Sequence, residues 1–116
     1  MTAIKRAISI RQPWAELILR GMKKKEDRDV PTRIRERVYL YASLRPADSA
    51  ADWRRIKKSP GQLPAGKIVG TVEVVDCRGN DRFERYEYHL ARPKRLQTPR
   101  IATNRPNPIW WRPRFL

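Results

Sequence analysis

The order of apolar and polar residues predicts short strands interrupted by two short helices. Ile4 to Ile10 alternates loosely and reads as a first strand. Gln12-Pro13-Trp14 then opens a helix, because proline suits the first helical position, where its missing N–H costs nothing. Trp14, Leu17 and Ile18 make one apolar stripe at helical spacing, a core face, and Gly21 ends the helix. A charged run from Lys23 to Asp29 follows. After Pro31 and a basic turn from Thr32 to Arg37, Val38 to Ser43 reads as a strand by its β-branched and aromatic content. Pro46 to Ser59 carries helix formers, with Ala51, Trp53 and Ile56 as inward candidates, and Ser59-Pro60-Gly61 stops it.

Lys67 to Cys77 predicts a central strand buried on both sides, since both alternating sets carry apolar residues. One set is Ile68, Gly70, Val72, Val74 and Asp76; the other is Val69, Thr71, Glu73 and Val75. Gly70 within it signals a bulge or a close backbone approach. Arg78 to Arg85 reads as a charged loop, Tyr86 to Leu90 as a strand, and Lys94 to Leu96 as a short edge strand fenced by Pro93 and Pro99. Pro108-Ile109-Trp110-Trp111 is apolar enough to close the sheet as a last strand, with one tryptophan inside and the other out. The sum is an α+β domain: a small mixed β-barrel of five to six strands with two or more short helices, undivided over residues 1–116.

Charge narrows the picture. Twenty-seven Lys plus Arg stand against 12 Asp plus Glu, a net charge of +15, and 19 of the 27 are arginine. Such a domain carries self-repulsion that a polyanion relieves, and guanidinium forks onto phosphate and stacks on bases. From Arg92 to Leu116 there are seven basic residues, five prolines and no carboxylate side chain. An anionic membrane would call for a basic amphipathic helix, which the chain does not show, and no apolar run nears the ~20 residues of a membrane span. The start, Met1 to Arg11, lacks the apolar stretch of a signal peptide. Cys77 is the single cysteine, so neither an internal disulfide nor a cysteine zinc site is expected; it reads as a small buried hydrophobe at a strand end. The expected setting is reducing and cytoplasmic, without cofactor or metal, with a monomer favoured.

Three stretches taken together resemble a known family: Ile8-Ser9-Ile10-Arg11-Gln12-Pro13-Trp14-Ala15; Gly21-Met22-Lys23-Lys24-Lys25-Glu26-Asp27-Arg28; and Val38 to Ser43 followed by Gly66-Lys67-Ile68-Val69-Gly70. Their order is similar to that of the ASCH domain of the PUA-like superfamily, over roughly residues 4–111. The resemblance implies a PUA-like barrel with a cleft between first helix and barrel, into which Lys23, Glu26 and Arg28 point. It also implies RNA as partner, ahead of DNA. Some members are hydrolases, among them an amidohydrolase of an acetylated cytidine and a ribonuclease. The amidohydrolases carry threonine where Glu26 stands and lack the Gln-Pro-Trp opening, which weakens the case for that chemistry here.

The residues themselves leave roles open. In a strand, Lys24, Glu26 and Arg28 share one face and Lys23, Lys25 and Asp27 the other, so pairing Lys23 with Glu26 needs a turn, a bulge, or a lysine reaching from the helix end. Glu26 as base with Lys23 and Arg28 as cations would suit metal-free RNA cleavage; as a surface ion-pair ladder the cluster contributes little. His89 is the lone histidine, without a triad motif around it, and reads as a packed or surface residue. Candidate nucleic-acid contacts are Ser9, Arg11, Gln12, Trp14, Lys23, Glu26, Arg28, Arg33, Arg35, Arg95, Arg100 and Arg105. The leading expectation is an RNA-binding domain that grips phosphates through arginines and holds a nucleotide or base in the Lys23–Glu26–Arg28 cleft. The alternatives are a small metal-independent hydrolase using the same cleft, and a basic protein–protein adaptor.

Overall fold

The computed structural model describes residues 3–116; Met1 and Thr2, part of the N-terminal segment weighed above, lie outside the described residues. Six strands form one sheet in the order β2-β5-β4-β3-β1-β6, curled into a half-barrel. In chain order these are β1 (Ala7–Ile10), α1 (Trp14–Leu19), β2 (Lys25–Arg28), β3 (Arg37–Ala42), α2 (Ala50–Ile56), a 3-10 turn at Pro60–Gln62, β4 (Lys67–Asn80), β5 (Arg85–Arg100) and β6 (Trp110–Trp111). β1 and β3 run parallel, and the other pairings are antiparallel. This is the α+β, PUA-like barrel with two short α-helices. Among the described residues, no helix is long and apolar enough to cross a membrane.

α1 starts one residue later than the proline rule predicts, with Pro13 as its N-cap residue. The capping is done from further back: Gln12 Oε1 accepts the Glu16 backbone N–H at 2.9 Å. Gly21, just past the end at φ +75°, takes the left-handed turn that glycine adopts without strain. Leu17 and Ile18 of the stripe are buried, and Ala15 with them, but Trp14 is half-buried and turns to the cleft end instead of completing the core face. In α2, Ile56 is buried and Trp53 half-buried, but Ala51 is exposed and not an inward residue.

The long hairpin differs most from its sequence pattern. Arg78 to Arg85 is not a loop: β4 continues to Asn80, β5 begins at Arg85, and only the four residues between them turn. Nor is Lys94 to Leu96 a separate strand. It belongs to β5, which bulges at Arg92 (φ +50°), where one residue of β4, Val72, opposes two of β5, Arg92 and Pro93. β2 pairs only with Tyr86 to His89, so Pro93 and Pro99 sit where that side of β5 has no strand partner and a missing N–H costs no ladder bond.

β4 is central and two-sided as predicted, but its faces are not the two alternating sets. Register shifts beside Gly70 put Val69 with Val72 and Val74 in the main core, and send Ile68 to a second cluster with Ala7, Tyr41 and Trp111. Gly70 is a close approach as well: a Cβ there would collide with the Lys94 carbonyl and the Leu19 side chain. Trp111 is the buried tryptophan, edge-on to Tyr41, while half-buried Trp110 stacks near Tyr88. Cys77 is half-buried and lies inside β4 rather than at its end.

Candidate functional site

The parallel pairing of β1 with β3 brings the two segments that follow them to one end of the sheet. There Arg11 and Trp14 meet Ser43 and Arg45, with β2 opposite, around a cleft of about 480 Å³. β2 is held across the opening by Arg28, whose Nη2 donates to the Ser9 carbonyl at 2.7 Å.

Glu26 is the residue this arrangement makes unusual. It sits on a strand yet is only 5% exposed, because its neighbours in β2 face solvent while it turns inward to line the cleft. Lys23 Nζ and Arg28 Nη2 each stand 3.9 Å from one of its carboxylate oxygens, too long for hydrogen bonds, and buried Oε2 has no hydrogen-bond partner. Burial pushes the Glu26 carboxyl above the ordinary carboxylate range; the Lys23 and Arg28 charges pull against that and do not cancel it, and Asp27 adds to it. Lys23 comes from the turn after α1, not from β2, so it approaches Glu26 from the helix end. It lines a neighbouring hollow with Ile18 and Leu90 instead of the cleft into which the family resemblance points it.

The other expected contacts divide sharply. Arg11 is exposed at the cleft rim, and the Trp14 ring lines it, oriented by an indole N–H bond to the Asp52 carboxylate at 3.0 Å. Ser9 and Gln12 lie at the same end but are committed to the scaffold. The Ser9 hydroxyl donates to the Asn107 carbonyl (2.6 Å) and accepts from the Trp111 indole (3.0 Å), and the Gln12 amide donates to the Pro64 carbonyl (3.1 Å). Arg95 is committed too: it grips Glu16 with two 2.8 Å bonds, and Arg20 adds a third at 2.7 Å. Burial raises the Glu16 carboxyl, but the Arg95 and Arg20 bonds and charges outweigh it and hold it below the usual range. Arg33, Arg35, Arg100 and Arg105 are exposed and line no part of the cleft. His89 is half-buried beside Glu87, also away from it.

Sequence reasoning missed Arg45 and Pro108, both of which line the cleft. Arg45 carried one usable signal, its place directly after a strand that pairs with the first. Pro108 carried none, since it arrives by the fold of the C-terminal segment. A larger groove of about 690 Å³ lies between β2 and the β4–β5 hairpin and shares Asp27 and Arg28 with the cleft. Its walls hold four carboxylates (Asp27, Asp29, Glu84, Glu87) against three arginines, a poorer setting for an anion.

The model of the ASCH domain matches residues 8–104 of this chain. Activating signal cointegrator 1 of Homo sapiens is 29% identical over 87 residues, and that of Mus musculus 31% over 87 residues. Each alignment covers 66% of this chain and 15% of the relative, so the chain spans about 15% of the length of these curated relatives.

Proposed function

The chain belongs to the ASCH domain family, and from that premise we propose that it binds RNA, seating one unpaired nucleotide in the cleft and gripping the flanking phosphates with arginine. The observation that carries this reading is buried Glu26, whose Oε2 lacks a partner beside Lys23 and Arg28 at the mouth of a basic, ring-bearing cavity. Ionised, Glu26 accepts from an amino or imino N–H on a base edge; protonated, it donates to a ring nitrogen or carbonyl. The Trp14 ring offers a stacking surface for a base that has left its helix, the usual way single-stranded RNA is read. Arg11 and Arg45 at the rim suit the phosphates on either side. Exposed Arg33, Arg35, Arg100 and Arg105 add long-range attraction without specificity.

The test is titration of a short labelled single-stranded RNA, followed by its fluorescence anisotropy, between about 50 and 200 mM salt. Affinity should fall steeply with salt, and Glu26→Ala should weaken binding at every salt concentration. Affinity that is flat in salt would refute phosphate grip. A second reading draws on the same carboxyl: a buried glutamate with a raised pKa beside a lysine suits general acid–base catalysis on the bound nucleotide. Glu26→Gln that keeps binding while abolishing turnover of a candidate RNA would select it.

A further inference from the structure

The sheet has a second face, turned away from α1, and it carries a different kind of surface. Directly opposed residues of paired strands share a face. Arg37 opposes Glu73, Tyr39 opposes Thr71, and Thr71 opposes Lys94, so these side chains lie together. Arg37 donates to the Thr71 hydroxyl at 2.8 Å across that face. One residue along β5, Arg95 points the other way, to Glu16 on α1. The C-terminal segment folds back over this outer face: Phe115 packs edge-on against Tyr39 at 5.6 Å, and the Arg100 guanidinium lies 3.5 Å from the Phe115 ring centroid. Asn104 pins the segment, donating to the Arg112 carbonyl at 2.8 Å and accepting the Arg114 N–H at 2.7 Å.

We propose that this outer face is a second nucleic-acid surface, which takes the sugar–phosphate backbone of a base-paired segment while the cleft takes an unpaired nucleotide. The inference rests on the RNA-binding reading above. Charge supports it first: Glu73 is neutralised by Arg37 at 3.3 Å and Arg92 at 2.6 Å, and no carboxylate side chain follows Glu87 in the sequence. Lys94, Arg112 and Arg114 are exposed and have no ion-pair partner among the described residues. The aromatic residues then decide what kind of polyanion fits. A single strand is held by stacking its bases on free rings. Here Tyr39 and Phe115 pack on each other and Arg100 covers Phe115, so the face presents cations without an open ring. A duplex, whose bases are already stacked, asks for cations alone. The same C-terminal segment joins the two surfaces, since the Asn107 carbonyl accepts the Ser9 hydroxyl and Pro108 lines the cleft. Arg112, Arg114 and Phe115 lie beyond the residues matched by the family, while Arg37, Tyr39, Lys94 and Arg100 lie within them.

The deciding experiment compares the wild type with Lys94→Gln/Arg112→Gln/Arg114→Gln on a blunt RNA duplex and on a single-stranded oligonucleotide, from 50 to 200 mM salt. Each lost phosphate contact should lower the slope of log affinity against log salt by about 0.9, so the triple variant should lose roughly three on the duplex. Lys94→Gln alone should lose about one. Single-strand binding at the cleft, read by the anisotropy of a labelled oligonucleotide, should stay unchanged. An unchanged duplex slope in a variant that keeps its single-strand binding overturns the proposal. Equal weakening on duplex and single strand overturns the assignment to paired segments. Failure of the wild type to bind a single strand, with the duplex slope still reduced in the variant, would sink the cleft reading and leave this one standing.

Discussion

Replacing Glu26 by glutamine tests whether the cleft carboxyl is a strained ligand-binding group or a piece of the scaffold. At 3.9 Å and an effective dielectric of about 20, each of Lys23 and Arg28 attracts the carboxylate by roughly 4 kcal/mol. Taking a carboxylate out of water costs several kcal/mol per ion, more still when an oxygen keeps no hydrogen bond, as Oε2 does not. Burial prevails over the two cations, because the Glu26 carboxyl is raised from its ordinary 4.5. A raised folded-state value means that the folded protein holds this proton more tightly than the unfolded chain. The resulting stability is fully present below about pH 4.5 and is lost as pH rises through the folded value. Glutamine keeps the size and removes the charge. Its stability relative to wild type should therefore rise between pH 4.5 and pH 8, by about 1.4 kcal/mol for each unit by which the carboxyl is raised. Urea unfolding of both proteins across that range measures it. A difference that stays flat or falls with pH would mean that Lys23 and Arg28 hold the carboxylate charged as a structural ion pair, and the strained-site argument would fail.

Glu16 should behave in the opposite sense. Its carboxyl is lowered by Arg95 and Arg20, so the stability it contributes is present above about pH 4.5 and lost as pH falls through the folded value. Glu16→Gln should cost about 1–3 kcal/mol at pH 7, less than for a fully buried pair because both arginines reach solvent, and the deficit should shrink in acid; urea unfolding at pH 7 and pH 3.5 would show it. Gly70→Ala places a methyl against the Lys94 carbonyl and Leu19, where β4 and β5 leave no room, and should cost roughly 1–3 kcal/mol. Wild-type thermal stability in that variant would show that the hairpin yields more easily than its packing implies.

The chain's own pattern determined the elements that depend on near neighbours. The α1 stripe, the Gly21 stop, the Val38–Ser43 strand and the two-sided central strand follow from periodicity and from backbone rules acting over a few residues. The spacing of Gln-Pro-Trp, Lys-x-x-Glu-x-Arg and Gly-x-Ile-Val-Gly motifs marked the family, and the excess of arginine over carboxylate set the charge from which the RNA-binding proposal starts. What was not legible depends on contacts between residues far apart in the chain. The bulges at Gly70 and Arg92 break the strict alternation of β4 and β5, and they arise from how the two long strands must bend around the barrel. Charge in the sequence also could not say which arginine is free. Arg95 looks like Arg100 or Arg112 until the fold sets it against Glu16, 79 positions away. Only the tertiary structure committed Ser9 and Gln12 to the scaffold, brought Arg45 and Pro108 to the cleft, and left one oxygen of Glu26 buried without a partner. Burial and hydrogen-bond satisfaction are properties of a folded neighbourhood, and a linear order of residues does not contain them.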